Sequence, residues 1–117
     1  MDHDQLCNLT LTEVAALIES GEISPVEVID AQLERIERLD SQLKSYALVM
    51  ADEARAAAKE AEREIQAGNY RGPLHGIPIG IKDIIDVFDW PTAAGSKLWA
   101  NSIARQDATL EIGRAHV

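Results

Sequence analysis

The sequence predicts an α/β fold in which helices come first and a strand follows them. Two helix-start patterns lie within the first 27 residues, and residues 51–67 are rich in Ala, Glu, Arg and Lys, which favour helix. From residue 70 the composition changes to Gly, Pro and Ile. Over residues 77–82 every second residue is Ile, and this alternation is typical of a strand.

The first predicted helix follows the segment Thr10-Leu11-Thr12-Glu13, which has the form of a capping box. In this motif the Thr10 hydroxyl accepts a backbone N–H from the first turn, and the Glu13 carboxylate bonds back to the cap residue. The helix is expected to run through Ile18. Gly21 is expected to end it, because glycine readily takes the left-handed conformation found after helices.

The second predicted helix begins with another capping box, Ser24-Pro25-Val26-Glu27. Proline suits the first helical position, because its fixed φ matches the helix and its missing N–H would have no partner there. The helix is expected to continue to about Leu39. Its apolar face is predicted to contain Val26, Ile29, Leu33, Ile36 and Leu39.

The third predicted helix covers residues 51–67 and ends at Gly68-Asn69. Residues 43–50, which precede it, are compatible with either a short strand or an extended linker. The helix has a narrow apolar stripe of small residues, which predicts close packing against a larger element. The stripe contains Ala54, Ala58, Ala61 and Ile65.

Composition and charge exclude several classes of function. The chain has 117 residues and a net charge of −9, which argues against a nucleic-acid partner and against an anionic membrane surface. Cys7 is the only cysteine, so no internal disulfide can form, and no motif around it suggests a catalytic thiol. We predict no metal site and no cofactor. The acidic start lacks a signal-peptide pattern, and we expect a cytoplasmic protein with no membrane association.

The predicted strand carries the residue of greatest chemical interest, Lys82. Alternation places three Ile residues on one face of residues 77–82 and Pro78, Gly80 and Lys82 on the other. A lysine that is removed from water gives up its proton more readily and can act as a base. A lysine that only pairs with Asp83 or Asp86 is the other interpretation, and the pattern alone favours it.

A resemblance to a known family changes this balance. The segment Leu74-His75-Gly76-Ile77-Pro78-Ile79-Gly80-Ile81-Lys82-Asp83-Ile84-Ile85-Asp86, followed by Pro91-Thr92-Ala93-Ala94-Gly95-Ser96, resembles the lysine segment of the amidase-signature family. Residues 11–28 are similar to the N-terminal helices of that family, and residues 106–110 are similar to the next helix start. The resemblance covers residues 8–110. It implies the N-terminal helices and first strands of an α/β/α fold with a large mixed sheet, and makes residues 1–110 the N-terminal part of a single amidase domain.

The same resemblance implies a chemistry and a role for Lys82. The family hydrolyses linear amide C–N bonds with a Ser-cisSer-Lys triad, in which Lys82 would be the general base. Both serines belong to a Gly-Ser-rich loop that this sequence does not contain, and neither Ser96 nor Ser102 lies in such a loop. We therefore expect the chain alone to be inactive. His75 is expected to have a structural role.

Two other functions remain in view. The A subunit of a tRNA-dependent amidotransferase, which hydrolyses glutamine, shares the chemistry and would need partner subunits. The loop 93–96 favours a general amidase, which would take a small-molecule amide and could form a homodimer. A helical interaction module without catalysis is the third interpretation, and it leaves the pattern of residues 77–82 unexplained.

The last seven residues, 111–117, do not continue the expected amphipathic helix. Back-translation as GAG ATC GGA AGA GCA CAC GTC gives a string that, after its first base, looks like a common sequencing-library adaptor. We interpret these residues as a non-native tail that arose from adaptor read-through. Codons that differ from this string in the nucleotide record would contradict the interpretation.

Overall fold

The computed structural model describes residues 1–99 and 101–109, which belong to two compact units. The first unit, Met1–Pro78, contains the helices α1 (His3–Cys7), α2 (Leu11–Ser20), α3 (Pro25–Leu43) and α4 (Ala51–Gln66). The second unit begins at Ile79 and includes a short 3₁₀ helix, Lys97–Trp99. None of the helices in the described residues has the length and apolar character needed to cross a membrane. Residues 111–117, which we interpret as a non-native tail, lie outside the described residues.

Helix α1 was not predicted from the sequence, although its start carries a recognisable signal. Asp2 caps it, accepting the Gln5 N–H at 2.8 Å, while the Gln5 side chain accepts the Asp2 N–H at 3.2 Å. Leu6 is buried against α3, and Asp4 pairs with Arg38 at 2.7 Å. The Arg38 guanidinium, through this hydrogen bond and its charge, lowers the pKa of Asp4. The buried Leu6 and this ion pair thus hold α1 against α3.

Both predicted capping boxes are confirmed. The Thr10 hydroxyl accepts the Glu13 N–H at 3.2 Å, and the Glu13 carboxylate accepts the Thr10 N–H at 2.8 Å. The Ser24 hydroxyl and the Glu27 carboxylate exchange the equivalent bonds, each at 3.1 Å. Gly21 ends α2 at φ 80°, in the left-handed region where glycine has no steric penalty. These local signals fix where α2 and α3 begin.

Helix α3 is buried on two sides, whereas the sequence predicted one. The predicted face is correct for Ile29 and Leu33, which pack with Ala58 of α4. A second face, with Val28 and Ala31, packs against α1 and α2. The helix also extends one turn beyond the predicted end at Leu39. Its C-terminus at Leu43 is held by the Asp40 carboxylate, which accepts the N–H groups of the two residues that follow Lys44.

Helix α4 agrees closely with its prediction. It spans Ala51–Gln66, and its stripe of small residues lies against α3. Ala58 and Ala61 are buried, while Ala54 and Ile65 are half-buried. Residues 44–50 belong to no helix or strand, so of the two interpretations of this segment the extended linker is correct.

The predicted strand at 77–82 is not confirmed, because the structure assigns no strand to these residues. Its residues pair with no other strand, and the described residues contain a single isolated antiparallel bridge, between Pro91 and Ile103. The large mixed sheet is therefore not formed by these residues. A strand is stabilised by hydrogen bonds from neighbouring strands, and Pro78 and Gly80 weaken any ladder that this segment could make.

Candidate active site

Lys82 begins a tight turn in the second unit. The Lys82 carbonyl accepts the Ile85 N–H at 3.0 Å, and the lysine side chain is exposed. The described residues contain no ion pair that includes Lys82. The alternative in which Lys82 pairs with Asp83 or Asp86 is therefore not realised in this structure.

Asp83 joins this turn to the loop at 91–96. Its Oδ1 accepts the Ala93 N–H at 3.0 Å, and its backbone carbonyl accepts the Ala94 N–H at 2.8 Å. We call these two bonds the Asp83 clamp. Alternation along an extended chain predicts that Asp83 faces away from Lys82 and is free to bond loop groups near Thr92. Both bonds confirm the contact with the loop.

The loop itself turns sharply beside the Asp83 clamp. Ala94 and Gly95 both have positive φ, at 50° and 72°, and the Ser96 N–H bonds back to the Ala93 carbonyl at 2.9 Å. The Ser96 hydroxyl accepts the Leu98 N–H at 3.2 Å, which makes it a cap for the short 3₁₀ helix. Ser96 thus has a structural contact within this loop.

The base of the loop is held by a short antiparallel pairing. The Thr92 N–H donates to the Ser102 carbonyl at 2.9 Å, and the Ala104 N–H donates to the Trp90 carbonyl at 3.0 Å. A second carboxylate reinforces the same region, because Asp107 Oδ1 accepts the Phe88 N–H at 2.7 Å. This contact was not predicted from the sequence, since the two residues are 19 positions apart.

Thr92 contributes a buried hydroxyl to the loop. Its Oγ1 is shielded from solvent and forms no hydrogen bond within the described residues. A buried hydroxyl without a partner loses the hydrogen bonds that it would form with water, which destabilises the folded state. The Thr92 hydroxyl is thus a polar group that the described contacts do not satisfy.

His75 lies in the first unit. Among the residues that the structure describes, it is the polar residue that is buried, with 7% of its surface exposed. Its Nδ1 accepts the Arg71 N–H at 3.1 Å, so Nδ1 carries no proton, because a backbone N–H can only donate. Nε2 lies 3.0 Å from Glu64 Oε2 and 3.3 Å from the Arg71 guanidinium, so the ring is held between a carboxylate and a cation. Tyr70 stacks on the ring with a centroid distance of 6.1 Å. These contacts agree with the predicted structural role.

The described residues do not by themselves enclose Lys82. Ile84 is 61% exposed and Ile79 is 59% exposed, while Ile81 and Ile85 are half-buried. The apolar side chains are present, yet the described residues do not enclose the lysine. Within residues 1–99 and 101–109, no three His, Cys, Asp or Glu side chains are grouped as metal ligands would be.

Comparison with known proteins assigns the chain to a family. Residues 27–111, which include the Lys82 turn and the Asp83 clamp, match the family described as amidase. The chain belongs to the amidase family.

Relatives in this family fall under two names. The chain is 48% identical over 110 residues to the amidase-family protein AmiD of Mycobacterium tuberculosis, covering 94% of this chain and 23% of that protein. It is 42% identical to an amidase of Pseudomonas putida, covering 78% of this chain and 19% of the other. It is 38% identical to the A subunit of the glutamyl-tRNA(Gln) amidotransferase of Anaeromyxobacter dehalogenans, covering 91% and 22%. The chain thus spans about a quarter or less of the length of these relatives.

A solved structure shows the same arrangement of the chain. It is described as a vestigial protein complex that reveals the evolutionary origins of an s-triazine catabolic enzyme. The TM-score is 0.84 at 28% identity, and the match covers 92% of this chain and 24% of the other.

Proposed function

We propose that residues 1–110 are the N-terminal part of an amidase that hydrolyses a linear amide C–N bond, with Lys82 as its general base. The observation that carries the proposal is the match to the amidase family across residues 27–111, since it includes the whole segment around Lys82. The exposed Lys82 side chain, which forms no ion pair within the described residues, supports a role that is chemical rather than structural.

The proposed reaction uses Lys82 to move a proton. Neutral Nζ takes a proton from a bridging serine, which takes one from the nucleophilic serine as its Oγ attacks the amide carbonyl. Backbone N–H groups stabilise the oxyanion that forms. The relay then protonates the leaving amine, the C–N bond breaks, and water hydrolyses the acyl-enzyme. Both serines and the oxyanion groups would come from parts of the enzyme that this sequence does not contain.

This reaction requires that Lys82 lose contact with water in the complete enzyme, because burial favours the neutral form of a lysine. The exposed apolar side chains of Ile79 and Ile84 lie within three residues of Lys82. We propose that the remaining three quarters of the enzyme cover these side chains and enclose the lysine with them.

A second candidate is the A subunit of a glutamyl-tRNA amidotransferase, which would release ammonia from glutamine for partner subunits. It is supported by the 38% identity to such a protein over 106 residues. The higher identities to the amidase-named proteins favour the amidase. We therefore propose a small-molecule amide as the substrate. The assembly proposed with it is a homodimer.

The test uses the full-length enzyme that carries this segment. Linear aliphatic and aromatic amides are supplied together with hydroxylamine, which traps an acyl-enzyme as a hydroxamate. We expect hydroxamate from the wild type, none from Lys82→Ala, and none above background from the 117-residue chain alone. Activity only on glutamine, and only with partner subunits, would favour the amidotransferase. A Lys82→Ala enzyme with normal turnover would show that the assignment of the base is wrong.

A further inference from the structure

Asp83 makes the contact that most directly fixes the backbone on which Lys82 stands. The two residues are consecutive, so their Cα atoms are about 3.8 Å apart and share one planar peptide unit. Any group that immobilises Asp83 therefore also limits where the Lys82 side chain can begin. The Asp83 clamp supplies two hydrogen bonds to successive N–H groups, those of Ala93 and Ala94.

The turn on the other side of Lys82 adds a second restraint. The Lys82 carbonyl accepts the Ile85 N–H at 3.0 Å, so the carbonyl groups of both Lys82 and Asp83 are fixed. The loop that receives the clamp is itself held, since the Thr92 N–H bonds to the Ser102 carbonyl. Lys82 consequently extends from a backbone that is tied to a paired segment by the Asp83 carboxylate.

We propose that Asp83 is a positioning residue for Lys82, which sets the base in line with the serine relay by binding the Ala93 N–H through its carboxylate. This inference rests on the proposed function of Lys82. What matters is the placement of one acceptor oxygen and not the negative charge. Asparagine, which offers an Oδ1 at the same distance from the backbone, should therefore replace Asp83 far better than glutamate, which keeps the charge but is longer by one methylene.

The chain offers a matched control for this idea. Asp107 also uses its Oδ1 to accept a backbone N–H in the same unit, from Phe88 at 2.7 Å. It lies 25 positions after Lys82 in the sequence and does not belong to the Lys82 turn. Asp107→Ala removes a contact of the same kind and loosens the unit, without releasing the backbone next to the lysine.

The experiment measures kcat and KM for hydroxamate formation by the full-length enzyme and its variants, well below each thermal midpoint. Misplacing a reacting group by about 1 Å lowers rates by about 100-fold, so we expect Asp83→Ala to lower kcat by about 10- to 100-fold. KM should change by less than about twofold, since proton transfer and not substrate binding is affected. Asp83→Asn should stay within a few-fold of the wild type, and Asp107→Ala should retain its kcat while losing thermal stability.

Three results would overturn the inference. In the first, Asp83→Ala and Asp107→Ala have equal kcat, which would make the contact merely structural. In the second, Asp83→Glu is more active than Asp83→Asn, which would show that the charge of residue 83 matters more than the position of its acceptor oxygen. If Asp83→Ala does not fold, the comparison of these two variants is the test. In the third, Lys82→Ala retains activity, so that the proposed function fails together with the inference. If Lys82→Ala is inactive and either of the first two results is found, the inference about Asp83 fails but the proposed function does not.

Discussion

Gly76 lies so close to the Pro25 ring that a Cβ built on the glycine would be 2.6 Å from Cγ of the proline. Gly76 also has φ 84°, in the region that residues with a Cβ rarely adopt. The loop that leads to residues 77–82 thus packs on the first turn of α3 through a contact that only glycine permits. We expect Gly76→Ala to destabilise the helical unit by about 2–4 kcal/mol, because backbone strain and a steric clash add together.

Gly68 provides the control for this prediction. It has φ 89°, yet a Cβ there would meet no atom within 4 Å, so Gly68→Ala measures backbone strain alone. We expect it to cost about 1–2 kcal/mol. The measurement is the midpoint of thermal loss of the far-ultraviolet circular dichroism signal. Equal midpoints for the two variants would show that the Pro25 contact contributes nothing.

The outcome for α3 shows where sequence reasoning works and where it stops. Ser24, Pro25 and Glu27 fix the start of the helix, because all the groups that cap it lie within four residues of one another. The second buried face, with Val28 and Ala31, was missed because it depends on α1 and α2, which reach it from elsewhere in the chain. The periodicity of apolar residues was interpreted as one apolar stripe. A helix that packs between two neighbouring elements has two buried faces.

The same distinction applies to the candidate site. The role of Lys82 as a base is a prediction from a family resemblance. The contact of Asp83 with the loop near Thr92 was expected because adjacent side chains on an extended chain alternate. The strand at 77–82 is not confirmed, because the described residues contain no partner strand and a strand is not stable without one. The contact between Asp107 and Phe88 could not be read from the sequence, since no local pattern joins residues that far apart.

The Glu64–His75–Arg71 cluster predicts a specific tautomer and a specific stability loss. In nitrogen NMR of the folded protein, we expect His75 to be protonated at Nε2 and unprotonated at Nδ1, because Nδ1 accepts the Arg71 N–H. His75→Phe keeps the stack on Tyr70 but removes the polar contacts of the ring with Arg71 and Glu64. It should therefore lower the stability of the helical unit by about 1–3 kcal/mol.

Glu64→Gln is the control for the histidine variant, since its amide keeps a polar group beside Nε2 and removes only the negative charge. We expect a smaller loss than for His75→Phe. A His75 signal from a ring protonated at Nδ1 and not at Nε2 would contradict the hydrogen-bond assignment, whatever the stabilities of the two variants.

The 117-residue chain should not unfold in a single transition. The buried core residues all lie in the first unit, while no described residue from Ile79 onward is buried. Both tryptophans, Trp90 and Trp99, belong to the second unit, so fluorescence reports on that unit and circular dichroism reports on the helices. We expect fluorescence to change at a lower temperature, accompanied by association through exposed apolar side chains. Coincident transitions in a monomer would contradict this prediction.

The buried Thr92 hydroxyl predicts a substitution that does not harm the isolated chain. Thr92→Val has nearly the same shape and removes a polar atom that has no partner among the described residues. We expect the fluorescence midpoint to rise, corresponding to about 1 kcal/mol, because no hydrogen bond is lost and an unsatisfied group is removed. Thr92→Ser, which keeps the hydroxyl and loses the methyl group, should lower it. A lower midpoint for Thr92→Val would show that the hydroxyl has a bonding partner.

Lys82→Arg separates a base from a fixed positive charge at this position. Arginine keeps the charge, but its guanidinium does not release a proton in the working range of an enzyme, so it cannot take part in the relay. We expect acylation by the full-length enzyme to fall by about 100- to 10,000-fold, the range usual for loss of a general base. Thermal stability should change little, because Lys82 is exposed and belongs to no ion pair within the described residues. Single-turnover acylation and a thermal melt of the same preparation make the comparison, with Lys82→Ala as the reference for complete loss. If the arginine enzyme acylated at a near-normal rate, Lys82 would act through its charge and the proton relay would have to start from another group.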